Sequence, residues 1–196
     1  MTSPKTLTPD QCKLLLEALS ESMPSEKQQA RRTRNVTMTV TMLETGIRVG
    51  ELCKLHIDDL WYHNDPVASL IVGKDIAKTN EERLIPISQK LNTQLLLMHA
   101  DIWSWDKSHT THFAFSGPKP SVWLTIRTVE RIILDAGKKA FNQTVTPHML
   151  RHTFATRMMR KTNARIVQTL LGHASLQSTQ IYTHPNTEDL FDAIHS

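Results

Sequence analysis

Helix start and stop signals recur along the chain and limit it to a fold built mainly of short helices. Thr8-Pro9-Asp10 and Thr146-Pro147 each place a hydroxyl side chain directly before a proline, which is the pattern that opens a helix. Gly46 and Gly172 each follow an apolar stretch of helical period, at the position where glycine commonly ends a helix. These signals predict helices that begin after Thr8 and Thr146, and helices that end at Gly46 and Gly172.

The remaining segments predict a small antiparallel sheet within a mainly α (α+β) fold. Residues 68–72 and 83–87 are β-like runs on either side of a polar stretch, which indicates a hairpin. Pro86 cannot donate a ladder hydrogen bond, so the second run is expected at a sheet edge. Further helices are expected over residues 89–98 and from Thr125 to a glycine end at Gly137.

The composition is that of an ordinary globular protein and excludes several classes. No apolar run approaches the roughly 20 residues that a membrane span needs. The N-terminus lacks the apolar stretch of a signal peptide, so we expect a cytoplasmic protein. Cys12 and Cys53 are too few and too isolated for a disulfide framework or a cysteine-based zinc site.

Positive charge is concentrated in one segment. Between Lys119 and Arg165 there are ten Lys or Arg residues against two acids, so this segment carries +8 and the rest of the chain −4. Such an excess suits a polyanionic partner, because each neutralised phosphate releases condensed counterions. On charge alone, a solvated basic face is an equally good interpretation.

His148 and Arg151 form the first candidate cluster. They lie three residues apart in the helix that Thr146-Pro147 opens, and therefore share a face. The N-terminus of a helix adds unpaired N–H groups and a favourable dipole, which suits an anion. His148 and His152 also have the four-residue spacing of a zinc pair, but Met149 stands where a metalloprotease has glutamate, which argues against metal.

Arg48 and Tyr182 belong to two further clusters. Arg48 and Glu51 lie three apart, so the carboxylate can orient the guanidinium for contact with a phosphate, although a surface ion pair has the same spacing. Tyr182 follows His173 by nine residues. A tyrosine hydroxyl titrates near 10, so it becomes a nucleophile only beside cationic groups and a proton acceptor.

The order and spacing of these clusters resemble the catalytic domain of the tyrosine recombinase (phage integrase) family. The motifs are, in order, Thr45-Gly46-Ile47-Arg48-x-x-Glu51-Leu52, a Lys-x7-Pro-Ile hairpin that ends at Pro86-Ile87, His148-x-x-Arg151-His152-x-Phe154-Ala155-Thr156, Leu171-Gly172-His173-x-Ser175 and Tyr182-Thr183-His184. The resemblance runs from about Thr8 to Tyr182. It implies the fold of that catalytic domain and double-stranded DNA as the partner.

The resemblance also implies a set of catalytic residues. They are Arg48, Lys78, His148, Arg151, His173 and Tyr182. Lys74 is the alternative to Lys78, because many relatives have Gly-Lys at this site and Lys74 follows Gly73. Glu51 matches an acidic position that supports the first arginine.

By the same resemblance, Tyr182 attacks a DNA phosphate to form a 3′-phosphotyrosyl link and a free 5′-hydroxyl. The two arginines hold the non-bridging oxygens, the lysine protonates the departing oxygen and His148 accepts the tyrosine proton. His173 donates a hydrogen bond to the phosphate. Strand exchange and religation follow without a metal, a nucleotide or another cofactor.

The chain departs from most of the family at its N-terminus, where relatives carry a further helical domain. We therefore expect residues 1–196 to form the catalytic domain alone, as a naturally short recombinase or as an excised domain. We also expect self-association into a tetramer on DNA. Two alternatives remain: DNA relaxation like that of a type IB topoisomerase, and an inactive integrase remnant that only binds DNA.

Overall fold

The computed structural model describes residues 6–21, 25–77, 82–105, 112–117 and 121–172. The α-helices in these ranges are α1 (Pro9–Ser20), α2 (Glu26–Thr45), α3 (Val49–Leu52), α4 (Gln89–Asp101), α5 (Ile126–Phe141), α6 (Pro147–Met159) and α7 (Ala164–Leu171). Two 3₁₀ turns, Ile57–Asp59 and Trp103–Trp105, lie between them. No helix in the described ranges is long and apolar enough to cross a membrane.

The predicted helix boundaries at Thr8, Gly46, Thr146 and Gly172 are confirmed. The Thr8 hydroxyl accepts from the Gln11 amide at 3.2 Å, and the Gln11 side chain accepts from the Thr8 amide at 3.0 Å, so α1 begins with a capping box. The Thr146 hydroxyl accepts from the Met149 amide and caps α6. Gly46 and Gly172 end α2 and α7 in the left-handed conformation, with φ of 63° and 61°.

The predicted end of a helix at Gly137 is wrong. Helix α5 continues to Phe141 and ends at Asn142, which takes the left-handed conformation with φ 53°. Gly137 lies inside the helix, where a Cβ atom would overlap the side chain of Val145. The glycine therefore permits a close approach between α5 and the segment that leads into α6.

Within the described ranges, the strands form two small antiparallel pairs. β1 (Trp61–Tyr62) pairs with β2 (Asp65–Pro66), and β3 (Ser69–Val72) pairs with β4 (Arg83–Pro86). The second pair is the predicted hairpin, with Ser69 opposite Pro86 and Val72 opposite Arg83. A two-stranded sheet has only edges, so the proline is tolerated there, as expected.

Helix α2 runs through the centre of the domain and packs against α1, α4 and α6, while α1 also packs against α5. Its apolar side chains Met38, Val40 and Met42 have no exposed surface. Helix α2 also contains buried threonines, and the hydroxyls of Thr41 and Thr45 donate to the carbonyls four residues earlier. Because these polar groups are paired within the helix, α2 can be buried on several sides at once.

Candidate active site

Arg151 joins three helices at one point. It lies on α6, retains 5% exposure and donates from Nη2 to the Leu171 carbonyl at 2.7 Å. Its Nη1 donates to the carbonyl of Gly46 at 2.5 Å. A guanidinium at the carbonyl ends of α2 and α7 stabilises both, because the last carbonyls of a helix lack intrahelical partners and carry the negative end of the dipole.

Two more arginines bind the same end of α7. Arg48, the residue before α3, donates from Nη2 to the Gly172 carbonyl at 3.3 Å. Arg83, the first residue of β4, donates from Nε to the Leu170 carbonyl at 3.2 Å. Three successive carbonyls, at residues 170–172, therefore hold three guanidinium groups in one cluster, here called the arginine cluster (Arg48, Arg83 and Arg151).

Glu51 orients two members of the arginine cluster. Its carboxylate accepts from the amide of Arg48 and from Arg48 Nη1, both at 3.0 Å, as the three-residue spacing predicted. It also accepts from Arg83 Nη1 at 3.2 Å and Nη2 at 2.5 Å. Burial alone would raise the pKa of the Glu51 carboxyl, but the hydrogen bonds and charges of Arg83 and Arg48 outweigh it and lower that pKa.

Arg83 is a site residue that the sequence reasoning missed. The sequence pattern identifies it only as the first residue of a β-like run. Side chains alternate between the two faces of a strand, so Arg83 lies on the same inward face as the buried Ile85. A charged side chain on that face needs a partner, and this requirement could have identified Arg83 from the sequence. That partner, Glu51, lies 32 residues away in sequence.

Gly46 allows α2, α6 and α7 to meet closely at the site. Its left-handed conformation suits glycine, and a Cβ atom there would overlap Phe154 and approach Leu171 to 2.9 Å. The following turn is held by the Thr45 hydroxyl, which accepts from the Ile47 amide at 3.2 Å. This turn delivers Arg48 to the end of α7.

His148 and His152 lie one turn apart on α6, beside Arg151. Their Nε2 atoms are 2.5 Å apart, and the ring planes meet at 76°. His148 is exposed, whereas His152 retains 7% exposure. Burial is the main cause that lowers the pKa of His152 to about 4, and the charges of His148 and Arg151 add to it. Burial and the charge of Arg151 also lower the pKa of His148.

A groove with basic and acidic side chains adjoins the start of α6. Its lining includes Arg127 and Arg131 of α5, the acids Glu130 and Asp135 of the same helix, and Pro147, directly before His148 in the chain. Both arginines are exposed. Two exposed guanidinium groups therefore lie beside the N-terminus of α6, in a groove that also holds two carboxylates.

The structure brings together three of the six predicted catalytic residues: Arg48 and Arg151 at the end of α7, and His148 one turn from Arg151. Lys78, His173 and Tyr182 lie outside the described residues, although His173 directly follows Gly172 in the chain. Lys74, the alternative to Lys78, is exposed in the turn after β3. No group of three or more potential metal ligands occurs in the part of the chain that the structure describes.

Comparison with known proteins identifies the class first. The structure superposes on a crystal structure of XerA recombinase with a TM-score of 0.78 and 33% identity, covering 100% of this chain and 64% of the other. The mainly helical domain with its small antiparallel sheets is thus a tyrosine recombinase catalytic-domain fold. The model described as "Phage integrase family" matches residues 5–189, and the chain belongs to that family.

The relatives carry related names. Tyrosine recombinase XerA of Pyrococcus furiosus is 38% identical over 197 residues, which cover 98% of this chain and 62% of the relative. A crystal structure of XerH site-specific recombinase bound to its difH substrate, before cleavage, has a TM-score of 0.69 and 27% identity; the match covers 99% of this chain and 54% of that one. The chain therefore spans about three fifths of the length of the curated relatives it matches.

Proposed function

We propose that this chain is the catalytic domain of a site-specific DNA recombinase, with Tyr182 as its nucleophile. The observation that carries the proposal is the placement of Arg48 and Arg151 on adjacent carbonyls, those of Gly172 and Leu171. Two guanidinium groups held side by side can bind the two non-bridging oxygens of one phosphodiester. A module that only binds DNA has no need of this convergence.

In the proposed reaction, the Tyr182 hydroxyl oxygen attacks the phosphorus and the bond from phosphorus to the 5′-oxygen breaks. His148 takes the tyrosine proton, and Lys78, or Lys74 in its place, protonates the departing 5′-oxygen. Arg48 and Arg151 stabilise the charge that develops on the phosphate, and His173 donates a hydrogen bond to it. Attack by another 5′-hydroxyl reverses the steps and joins the exchanged strands, so the chemistry consumes no nucleotide and needs no metal.

Duplex DNA is the proposed partner. The exposed Arg127 and Arg131 beside the start of α6 support a path for the phosphate backbone that leads to His148. The structure of XerH recombinase bound to its difH substrate, a structural relative, supports DNA as the partner. We further propose that residues 1–196 act as one catalytic domain in the cytoplasm and assemble as a tetramer on DNA.

Covalent capture tests the nucleophile. A random-sequence library of duplexes with a 5′-bridging phosphorothiolate is incubated with the protein, and DNA that stays attached in SDS is recovered and sequenced. We expect a recurrent site and an adduct that Tyr182→Phe abolishes. Capture by the Tyr182→Phe variant, or none by the wild type, would show that the assignment is wrong.

The same preparation separates the alternative functions. Relaxation of a supercoiled plasmid that lacks the captured site would indicate a topoisomerase. Retarded migration of DNA without any adduct would indicate a module that only binds. Strand exchange between two captured sites is the result expected of a recombinase.

A further inference from the structure

The contact between His148 and His152 has a chemical consequence beyond the family's catalytic set. The two Nε2 atoms lie 2.5 Å apart with ring centroids 3.9 Å apart, so each ring directs the same nitrogen at the other. A hydrogen bond between them requires a proton on one Nε2 and a lone pair on the other. Two neutral rings in this contact must therefore adopt opposite tautomers.

A shared metal ion is a poor explanation for the short distance between the two Nε2 atoms. The pair supplies two ligands, and no group of three or more potential ligands is found within the described ranges. The positive charge of Arg151 acts on both rings and would oppose a bound cation. The proton shared by the two rings accounts for the contact without an added ion.

We propose that His152 is a positioning residue that accepts a hydrogen bond from Nε2–H of His148 and so reserves Nδ1 of His148 as the base. This inference rests on the proposed function, in which His148 takes the Tyr182 proton. The proton moves from the tyrosine oxygen to Nδ1 of His148, which becomes an imidazolium. Its Nε2–H stays bonded to His152, and no second proton moves.

The difference in exposure between the two rings decides which of them takes an added proton. His148 is exposed, whereas His152 is 7% exposed and stays neutral because burial disfavours its charged form. A pKa of about 4 for His152 agrees with this. A proton added to the pair therefore resides on His148, whose Nε2–H then donates to the Nε2 lone pair of neutral His152. Loss of the Nδ1 proton keeps this hydrogen bond, whereas loss of the Nε2 proton would set two lone pairs against each other.

Two substitutions separate positioning from packing. His152→Phe keeps a ring of similar size but removes the acceptor, whereas His152→Gln keeps an oxygen acceptor near the position of Nε2. The probe is the captured duplex with a 5′-bridging phosphorothiolate. Its sulfur leaving group needs no protonation, so the single-turnover rate reports on activation of the nucleophile.

We expect His152→Phe to slow cleavage by about 10- to 100-fold with unchanged DNA affinity, as for other residues that orient a functional histidine. His152→Gln should recover most of the rate. Met158→Leu, further along α6, is the matched control and should cleave like the wild type. Equal rates for His152→Phe and the wild type, or equal losses in both His152 variants, would overturn the inference.

Nitrogen-15 NMR of the imidazoles in the wild-type protein gives a second readout that needs no DNA and no variant. We expect His148 to carry its proton on Nε2 and His152 to carry its proton on Nδ1. A proton on Nδ1 of neutral His148 would overturn the inference even if both variants failed to fold. If the wild type forms no DNA adduct, the proposed function fails, and the role of His152 as a positioning residue fails with it; the NMR result then describes the hydrogen bond alone.

Discussion

At the scale of single residues, the charge of Glu51 holds the site together. The side chain is 1% exposed and accepts hydrogen bonds from Arg48 and Arg83. Arg83 is itself 5% exposed, so the pair is withdrawn from water on both sides. The attraction in such a pair offsets the cost of burying it, but losing one partner leaves the other charge uncompensated.

Glu51→Gln should therefore destabilise the protein by about 3–5 kcal/mol, because the Arg83 guanidinium stays buried without its counter-charge. Urea unfolding followed by circular dichroism measures the effect. Glu17→Gln is the matched control, since its pair with Lys13 is exposed, and it should change stability by less than about 0.5 kcal/mol. Equal effects of the two substitutions would contradict a structural role for Glu51.

The buried imidazole of His152 makes stability depend on pH. Its pKa is lowered to about 4 in the folded protein, against an ordinary value of 6.5. Between these values the unfolded chain binds more protons than the folded one, so stability is present above pH 6.5 and is lost as pH falls toward 4. At pH 5 the loss due to His152 relative to pH 7 should be about 2 kcal/mol. The lowered pKa of His148 adds a loss of the same sign.

Unfolding free energies of the wild type and His152→Gln at pH 5 and pH 7 test this. The variant should lose less stability across the interval because it lacks the titrating ring. Lowering of the Glu51 pKa adds a dependence of the same sign in the more acidic range, below that carboxyl's ordinary value. A wild type whose stability rises as the pH falls from 7 to 5 would contradict the assignment of a neutral His152.

At the scale of elements, the sequence predicted the helix ends that neighbouring residues determine, but not the contacts between residues far apart in the chain. The ends of α2 and α7 could be predicted because a left-handed glycine cap depends only on the residues around it in the sequence. Gly137 has the same residue type, but its role depends on Val145, which no helix signal reveals. Arg83 was likewise placed in the correct strand without its partner, Glu51.

Gly137→Ala tests the close approach between α5 and the segment that leads into α6. Alanine favours a helix interior over glycine by roughly 1 kcal/mol, but the added Cβ overlaps Val145. Overpacking of this kind costs about 1–3 kcal/mol, so we expect a net loss of stability and a lower Tm. Lys138→Ala, at the exposed next position, is the control; a Tm for Gly137→Ala above that of the wild type would contradict the packing argument.

At the scale of the whole molecule, the basic segment does not act as one surface. Arg157 donates to Glu44 at 3.0 Å, and Lys139 pairs with Glu21. The sequence contains the local charge excess but does not show which of these charges are engaged within the fold. Arg127 and Arg131 remain exposed beside the groove at the start of α6.

Arg127 and Arg131 should therefore contribute to DNA affinity without regard to sequence. Each phosphate contact changes the logarithmic salt slope of duplex binding by about 0.9, so Arg127→Ala/Arg131→Ala should make the slope shallower by about 2. Fluorescence anisotropy titrations at 50–200 mM salt, on the captured site and on an unrelated duplex, measure it. We expect the same weakening on both duplexes and none for Lys13→Ala, whose side chain is exposed on α1 and pairs with Glu17. An unchanged slope in the double variant would remove the groove at the start of α6 from the proposed DNA path and leave Arg48 and Arg151 as the proposed phosphate contacts.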